Sequence, residues 1–194
     1  MRQQESINKK SRIFFVSVTI SLLFAIRWVE AITPNHYYGN TFYQYGISHQ
    51  KKGNFPKAAY CFRKAIKYNP GLAEAYFSAG HLLYLFSDYE QAAELLRKCA
   101  QLNSSIDRAF YFLGTIYYNK GYFNRAILEL REGVKNRRFT YPTTYYFLLG
   151  LCYLEADNKE SARTCAVKIK KSGGAGKLAD LLYLKIDQKE GADE

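Results

Sequence analysis

The sequence predicts an all-α fold, a solenoid of four tandem helix-turn-helix repeats, and three observations predict it. Glycines set in register align Gly46, Gly80, Gly114 and Gly150, spaced by 34, 34 and 36 residues. Twelve residues after each glycine stands an alanine: Ala58, Ala92, Ala126 and Ala162. Between glycine and alanine, Gly53-Asn54, Ser87-Asp88, Gly121-Tyr122 and Asp157-Asn158 break the apolar pattern with turn-forming and capping residues. Small residues at a fixed offset let two helices touch where no larger side chain fits. Each unit therefore reads as a hairpin of two crossing helices.

The first repeat spans 39–72. It places Tyr43 and Gly46 on a first helix, Asn54 as N-cap, then Ala58, Phe62 and Ala65 on a second helix that Asn69-Pro70 stops. Pro56 falls in the first turn of that helix, where its missing N–H costs nothing. Repeat two, 73–106, repeats the plan with Tyr76, Gly80, Asp88, Ala92, Leu96 and Cys99, and Asn103-Ser104 ends it. Repeat three, 107–140, has Phe110, Gly114, Ala126, Leu130 and Gly133. Repeat four, 143–172, has Tyr146, Gly150, Ala162, Ala166 and Ile169. After Ser172, the Gly-rich 173–176 reads as a joint. Leu178, Leu181, Leu182 and Ile186 then share one helical face, which predicts a capping helix over 177–188. Residues 189–194 are expected to be disordered.

This set of residues resembles the tetratricopeptide repeat: an aromatic, then Leu-Gly, then a turn, Ala, Phe or Leu, a second small residue and Pro at a period of 34. The resemblance covers residues 39 to about 172 and implies a right-handed superhelix of helix pairs. Gly133 and Cys99 depart from the alanine usual at the second small position, and repeats two to four lack the closing proline. These departures are expected to loosen local packing. The 35-residue repeats that read RNA fit the observed period less well.

The resemblance also implies a site. In the family, the first helices line a concave groove, and the residues displayed there sit at fixed places in each repeat. Carried onto this chain, they include Asn40, Tyr43 and Ile47 in repeat one, and Phe77, His81 and Tyr84 in repeat two. Repeat three supplies Arg108, Tyr111, Thr115 and Tyr118, and repeat four Phe147 and Leu151. Gln50, Glu74, Thr144 and Leu154 occupy the remaining places. Members that clamp a C-terminal carboxylate use Lys, Asn and Arg at the middle two places, which here hold mainly aromatic and apolar residues. That clamp is not expected. The rings of Tyr43, Phe77, Tyr84, Tyr111, Tyr118 and Phe147 are expected to face the groove as a ladder for an apolar or amphipathic protein segment.

Ahead of the repeats, Arg2, Lys9, Lys10 and Arg12 precede an uncharged run from Ile13 to Ile26, followed by Arg27-Trp28-Val29-Glu30-Ala31. A basic segment, an apolar core and small residues at Val29 and Ala31 match an export signal over 1–31. With Arg27 snorkelling and Trp28 in the interfacial belt, the same segment reads as an uncleaved anchor. Either way the cation imbalance across the run places the repeats on the exported side of a membrane, in a periplasm or secretory pathway. Residues 32–38, with Pro34, read as a tether.

The net charge is +11, of which residues 1–31 carry +3. Arg63-Lys64, Arg97-Lys98 and Arg131 recur late in successive repeats, where a solvated helix face and the helix dipole favour cations. Cys61, Cys99, Cys152 and Cys165 form no CxxC pair and stand as small buried apolar groups, with pairing of Cys152 and Cys165 left open. No metal or cofactor site is expected. His36, His49 and His81 stand apart and no catalytic motif occurs, so the chain reads as a binding scaffold and not an enzyme. Two functions remain. One is an exported or membrane-tethered scaffold holding a protein segment in its groove for complex assembly. The other is a peripheral protein touching anionic lipid, polysaccharide or nucleic acid with its basic face, nucleic acid being disfavoured.

Overall fold

A computed structural model describes residues 35–135, 142–172 and 176–191, which form helices and, among the described residues, no strand. The first helix, α1, is helical from 35 through 51. It is followed by α2 (Phe55–Tyr68), α3 (Ala73–Leu85), α4 (Tyr89–Leu102), α5 (Asp107–Asn119), α6 (Phe123–Val134), α7 (Pro142–Glu155), α8 (Lys159–Lys171) and α9 (Gly176–Glu190). The helices pack in sequence as hairpins, α3 on α4, α5 on α6 and α7 on α8, each hairpin lying against the next. First helices also meet across repeats, α3 with α5 and α5 with α7, while no comparable contact joins α2 to α4 or α4 to α6. The described residues form an all-α solenoid of helical hairpins.

The turn inside each hairpin follows from four equivalent residues. Gly53, Ser87, Gly121 and Asp157 have φ of 71°, 63°, 75° and 59°, the left-handed region that reverses the chain before a cap. The next residue then caps the second helix. Asn54, Asp88 and Asn158 accept from the backbone N–H of Lys57, Gln91 and Ser161 at 3.3, 3.3 and 3.0 Å. In the third repeat Tyr122 holds that place and gives no side-chain cap.

Where the paired helices cross, a methyl added to Gly46 would overlap the Phe62 ring, and one on Gly114 would overlap Leu130. Gly80 faces Leu96 in the same way. The fourth repeat departs from this scheme. Its counterpart to Phe62, Leu96 and Leu130 is the small Ala166, and a methyl on Gly150 meets Leu182 of α9 instead. The capping helix therefore supplies the large side chain that the last hairpin lacks, and it buries Ala179, Leu182 and Ile186 against α7 and α8.

Four expectations need correction. Residues 35–38, assigned to a tether, belong to α1. They are held because Tyr38 and Phe42 rest on Tyr68 at ring separations of 5.9 and 5.5 Å, and Gly39 lies where any side chain would strike Asn69. Lys189 and Glu190, assigned to a disordered tail, are the last turn of α9. Lys189 donates to the Leu154 carbonyl and Arg163 pairs with Glu190 at 2.8 Å. Gly176, assigned to the joint, opens that helix. Gly133 and Cys99 do not loosen the stack. Cys99 is fully buried, and Gly133 leaves room for the Tyr145 ring, whose hydroxyl donates to the Asp107 carbonyl. The leader 1–31, residues 32–34, the linker 136–141, most of the joint and residues 192–194 lie outside the described residues. No described helix is long and apolar enough to cross a membrane.

Candidate functional site

The residues carried over from the repeat pattern recur along α1, α3, α5 and α7, and the helix register decides what each can offer. Asn40 and Arg108 are exposed; Tyr43, Ile47, His81, Tyr84, Tyr111, Thr115, Tyr118, Phe147 and Leu151 are half-buried. Phe77 is buried, with 8% of its surface exposed. Of the flanking places, Glu74 and Thr144 are exposed, Gln50 is half-buried and Leu154 is buried under α9.

The expectation that every ring of the ladder faces the groove is corrected at the α3–α5 junction, where Phe77 is buried. There Phe77 stacks on His81 with centroids 5.8 Å apart and planes 7° from parallel. Phe112 of α5 packs against Phe77, His81 and Tyr84 at 6.1, 4.6 and 4.9 Å. The Arg108 guanidinium closes over the Phe77 ring at 4.7 Å. Glycine and alanine close the crossing inside each hairpin, but first helices of neighbouring repeats stand farther apart. Rings from both fill that gap.

Phe112 is the residue that pattern reasoning omitted. Its place holds Gln44, Ser78 and Leu148 in the other repeats, so the family positions do not single it out. The run Phe110-Tyr111-Phe112 was the available signal: three successive aromatics on one helix must send at least one ring toward a neighbouring repeat.

Elsewhere the row is more open. Tyr43 leans on Phe62 at 6.0 Å, and Tyr118 on Phe123 at 5.7 Å. Tyr111 lies 5.3 Å from the buried Tyr145, and Thr115 donates to the Tyr111 carbonyl at 2.9 Å. Burial raises the phenol pKa of Tyr84, Tyr111 and Tyr118, so these groups stay neutral hydrogen-bonding hydroxyls at any physiological pH. Burial, and secondarily the Arg108 charge, lowers the His81 pKa, which keeps this imidazole neutral at pH 7. The row thus presents apolar ring surface edged by neutral polar tips, with Arg108 as an exposed cation. The four cysteines are buried and free, and the described residues contain no cluster of three or more potential metal-ligating side chains.

Models of the tetratricopeptide repeat match residues 43–105 and 107–139. The chain belongs to the tetratricopeptide-repeat family. Its fourth hairpin lies beyond the matched residues and is recognised by the shared turn and cap geometry. Comparison with curated proteins gives no match. Among solved structures, a crystal structure of the MamA protein is similar at 22% identity and TM-score 0.61, covering 71% of this chain and 73% of that one. A second crystal structure of MamA is similar at 20% identity and TM-score 0.59, covering 86% of each chain. YrrB, described as a TPR protein with an unusual peptide-binding site, is similar at 18% identity and TM-score 0.64, covering 77% and 78%. At these identities the likeness speaks for the fold.

Proposed function

We propose that this protein is an exported or membrane-tethered scaffold that holds a segment of a partner protein along the row of its first helices, as part of complex assembly. The observation that carries the reading is the half-buried aromatic and apolar row itself. Tyr43, Ile47, Tyr84, Tyr111, Tyr118, Phe147 and Leu151 recur at matching register; α3, α5 and α7 approach one another in turn, and Tyr43 and Ile47 of α1 pack on the core that α2 shares with α3. Rings of this kind bind with large contact area at low entropic cost, and they read an apolar or amphipathic segment through shape. The peptide-binding site of YrrB, a structural neighbour, gives the reading a precedent in this fold. The exported location rests on the basic and uncharged pattern of residues 2–27.

A photocrosslinking residue placed at Thr115 of the full chain, in sealed cells, tests the reading. It should capture a discrete protein. Tyr84→Ala with Tyr118→Ala should reduce capture at least about tenfold, as loss of anchors worth more than 1 kcal/mol implies. Lys64→Gln with Lys98→Gln should leave it nearly unchanged, as should raised salt. Loss of capture in the lysine variant and steep salt dependence, with the tyrosine variant intact, would replace this reading with binding of an anionic surface by the basic face. Protease added outside the cytoplasm should digest the repeats; full protection would overturn the exported location.

A further inference from the structure

At two of the three junctions between repeats, an arginine late in a second helix stands in register with a tyrosine near the end of the next first helix. On α4 and α5 the pair is Arg97 and Tyr117. The ring is 8% exposed and its hydroxyl accepts from Arg97 Nη2 at 2.5 Å. One repeat later Arg131 and Tyr153 stand in the same register. Burial holds the Tyr153 phenol pKa above its usual value, and the Arg131 charge offsets this only in part.

One repeat earlier, the register brings Arg63 opposite Leu83. The arginine is kept and the ring is missing. A cleft of about 430 Å3 lies there between α2 and α4, floored by Ala79, Leu82 and Leu83 of α3; the equivalent cleft beside Arg131, lined by Tyr153, is smaller, at about 280 Å3. Arg63 lines this cleft together with Gln91 and Glu94 of α4 and is exposed; among the described residues its guanidinium has no hydrogen bond or ion pair, including to Glu94. Phe55 and Phe86 stand at its edge with rings edge-to-face at 5.6 Å, and Phe86 is 61% exposed.

We propose that this cleft receives the side chain of a tyrosine presented by a partner protein, its ring lying between α2 and α4 and its hydroxyl accepting from the Arg63 guanidinium. The junction of α4 and α5 supplies the template, since the same fold there places the Tyr117 hydroxyl on the equivalent arginine, Arg97. The cleft falls in the size range of preformed binding sites. An arginine donor beside apolar walls selects a ring that carries an acceptor over one that does not. The site lies on α2, α3 and α4, with the second helices forming its walls, and does not depend on the aromatic row.

The test uses N-acetyl-tyrosinamide and N-acetyl-phenylalaninamide as probes of the full chain, followed through the methyl NMR signals of Leu82, Leu83 and Leu95. The tyrosine probe should shift these signals saturably and bind about fivefold or more tighter than the phenylalanine probe, as a hydrogen bond from a charged donor implies. Leu83→Tyr fills the cleft from within and should weaken the tyrosine probe at least about tenfold, on the scale of a blocked anchor pocket. Arg63→Ala, at an exposed site that leaves the fold intact, should bring the two probes level. Equal binding of the probes to the unaltered chain, an unchanged preference in Arg63→Ala, or undiminished binding to a folded Leu83→Tyr would overturn the proposal. So would shifts of the same signals on simple dilution, which would mean that a second copy of the chain occupies the cleft.

Discussion

Small side chains in this stack answer large ones across a repeat boundary. Ala65 and Ala75, Cys99 and Ala109, Gly133 and Tyr145 hold equivalent places at successive junctions, and all six side chains or backbone positions are buried. The third junction exchanges volume: the tyrosine enters because glycine has left room. Gly133→Ala should therefore destabilise the protein by about 2 kcal/mol through overpacking, since its methyl would meet the Tyr145 phenol and Phe110. Added to Tyr145→Ala the same change should cost far less, and urea unfolding of the single and double variants would measure the coupling. Additive costs would show that the two sites do not share that space. A second residue-scale prediction concerns Ser87, held at φ 63° where two other repeats use glycine. Ser87→Gly removes the left-handed penalty and should raise stability by about 0.5–1 kcal/mol, readable as a higher melting temperature. A lower one would mean that the serine makes a compensating contact.

The elements were legible in the sequence to the extent that they repeat. Gly46, Gly80, Gly114 and Gly150 are dictated by contact between paired helices, so their spacing alone located the hairpins and the caps at Asn54, Asp88 and Asn158. Ring contacts between the first helices of neighbouring repeats follow no such rule. Phe112 was missed because its role depends on rings in the preceding repeat, and the burial of Phe77 follows from the same packing. The start of α1 was obscured by the polar segment around Pro34, because its anchor is Tyr68, thirty residues away from Tyr38 in the chain. The capping helix shows both sides of this. Its apolar face was readable, whereas the insertion of Leu182 beside Gly150 depended on Ala166 leaving that place empty. Leu182→Ala should accordingly cost about 3 kcal/mol, as for a fully buried leucine. Ala166→Leu introduced with it should recover part of the loss, by restoring the residue type found in repeats two and three. If thermal unfolding shows Leu182→Ala to be neutral, α9 does not complete the fourth hairpin.

At the scale of the whole molecule, the stack buries thiols and a phenol, and this sets its response to alkali. Burial raises Cys99 and Cys152 from 9.0 to about 12 and Cys165 to about 11, and it raises Tyr145 far above its usual 10.0. For acids of this kind the folded state holds the proton more tightly than the unfolded chain. Their contribution is fully present below the unfolded pKa values and is lost as pH rises past them, because the unfolded chain then releases protons that the folded one retains. Stability should be flat in this respect at neutral pH and fall from about pH 9 upward, by up to about 1.4 kcal/mol per pH unit for each thiol whose unfolded form is ionised. His81 acts at the other end of the scale. Its lowered pKa makes the unfolded state the better proton acceptor below about pH 6.5, so its contribution disappears as pH falls. Urea midpoints between pH 5 and 10 would show both limbs. Replacing Cys99, Cys152 and Cys165 by alanine lowers stability at every pH by creating cavities, but it should flatten the alkaline limb up to the range where Tyr145 begins to act. An alkaline limb equally steep in that variant would trace the fall to other groups, and the cysteines would then have no part in the alkaline response.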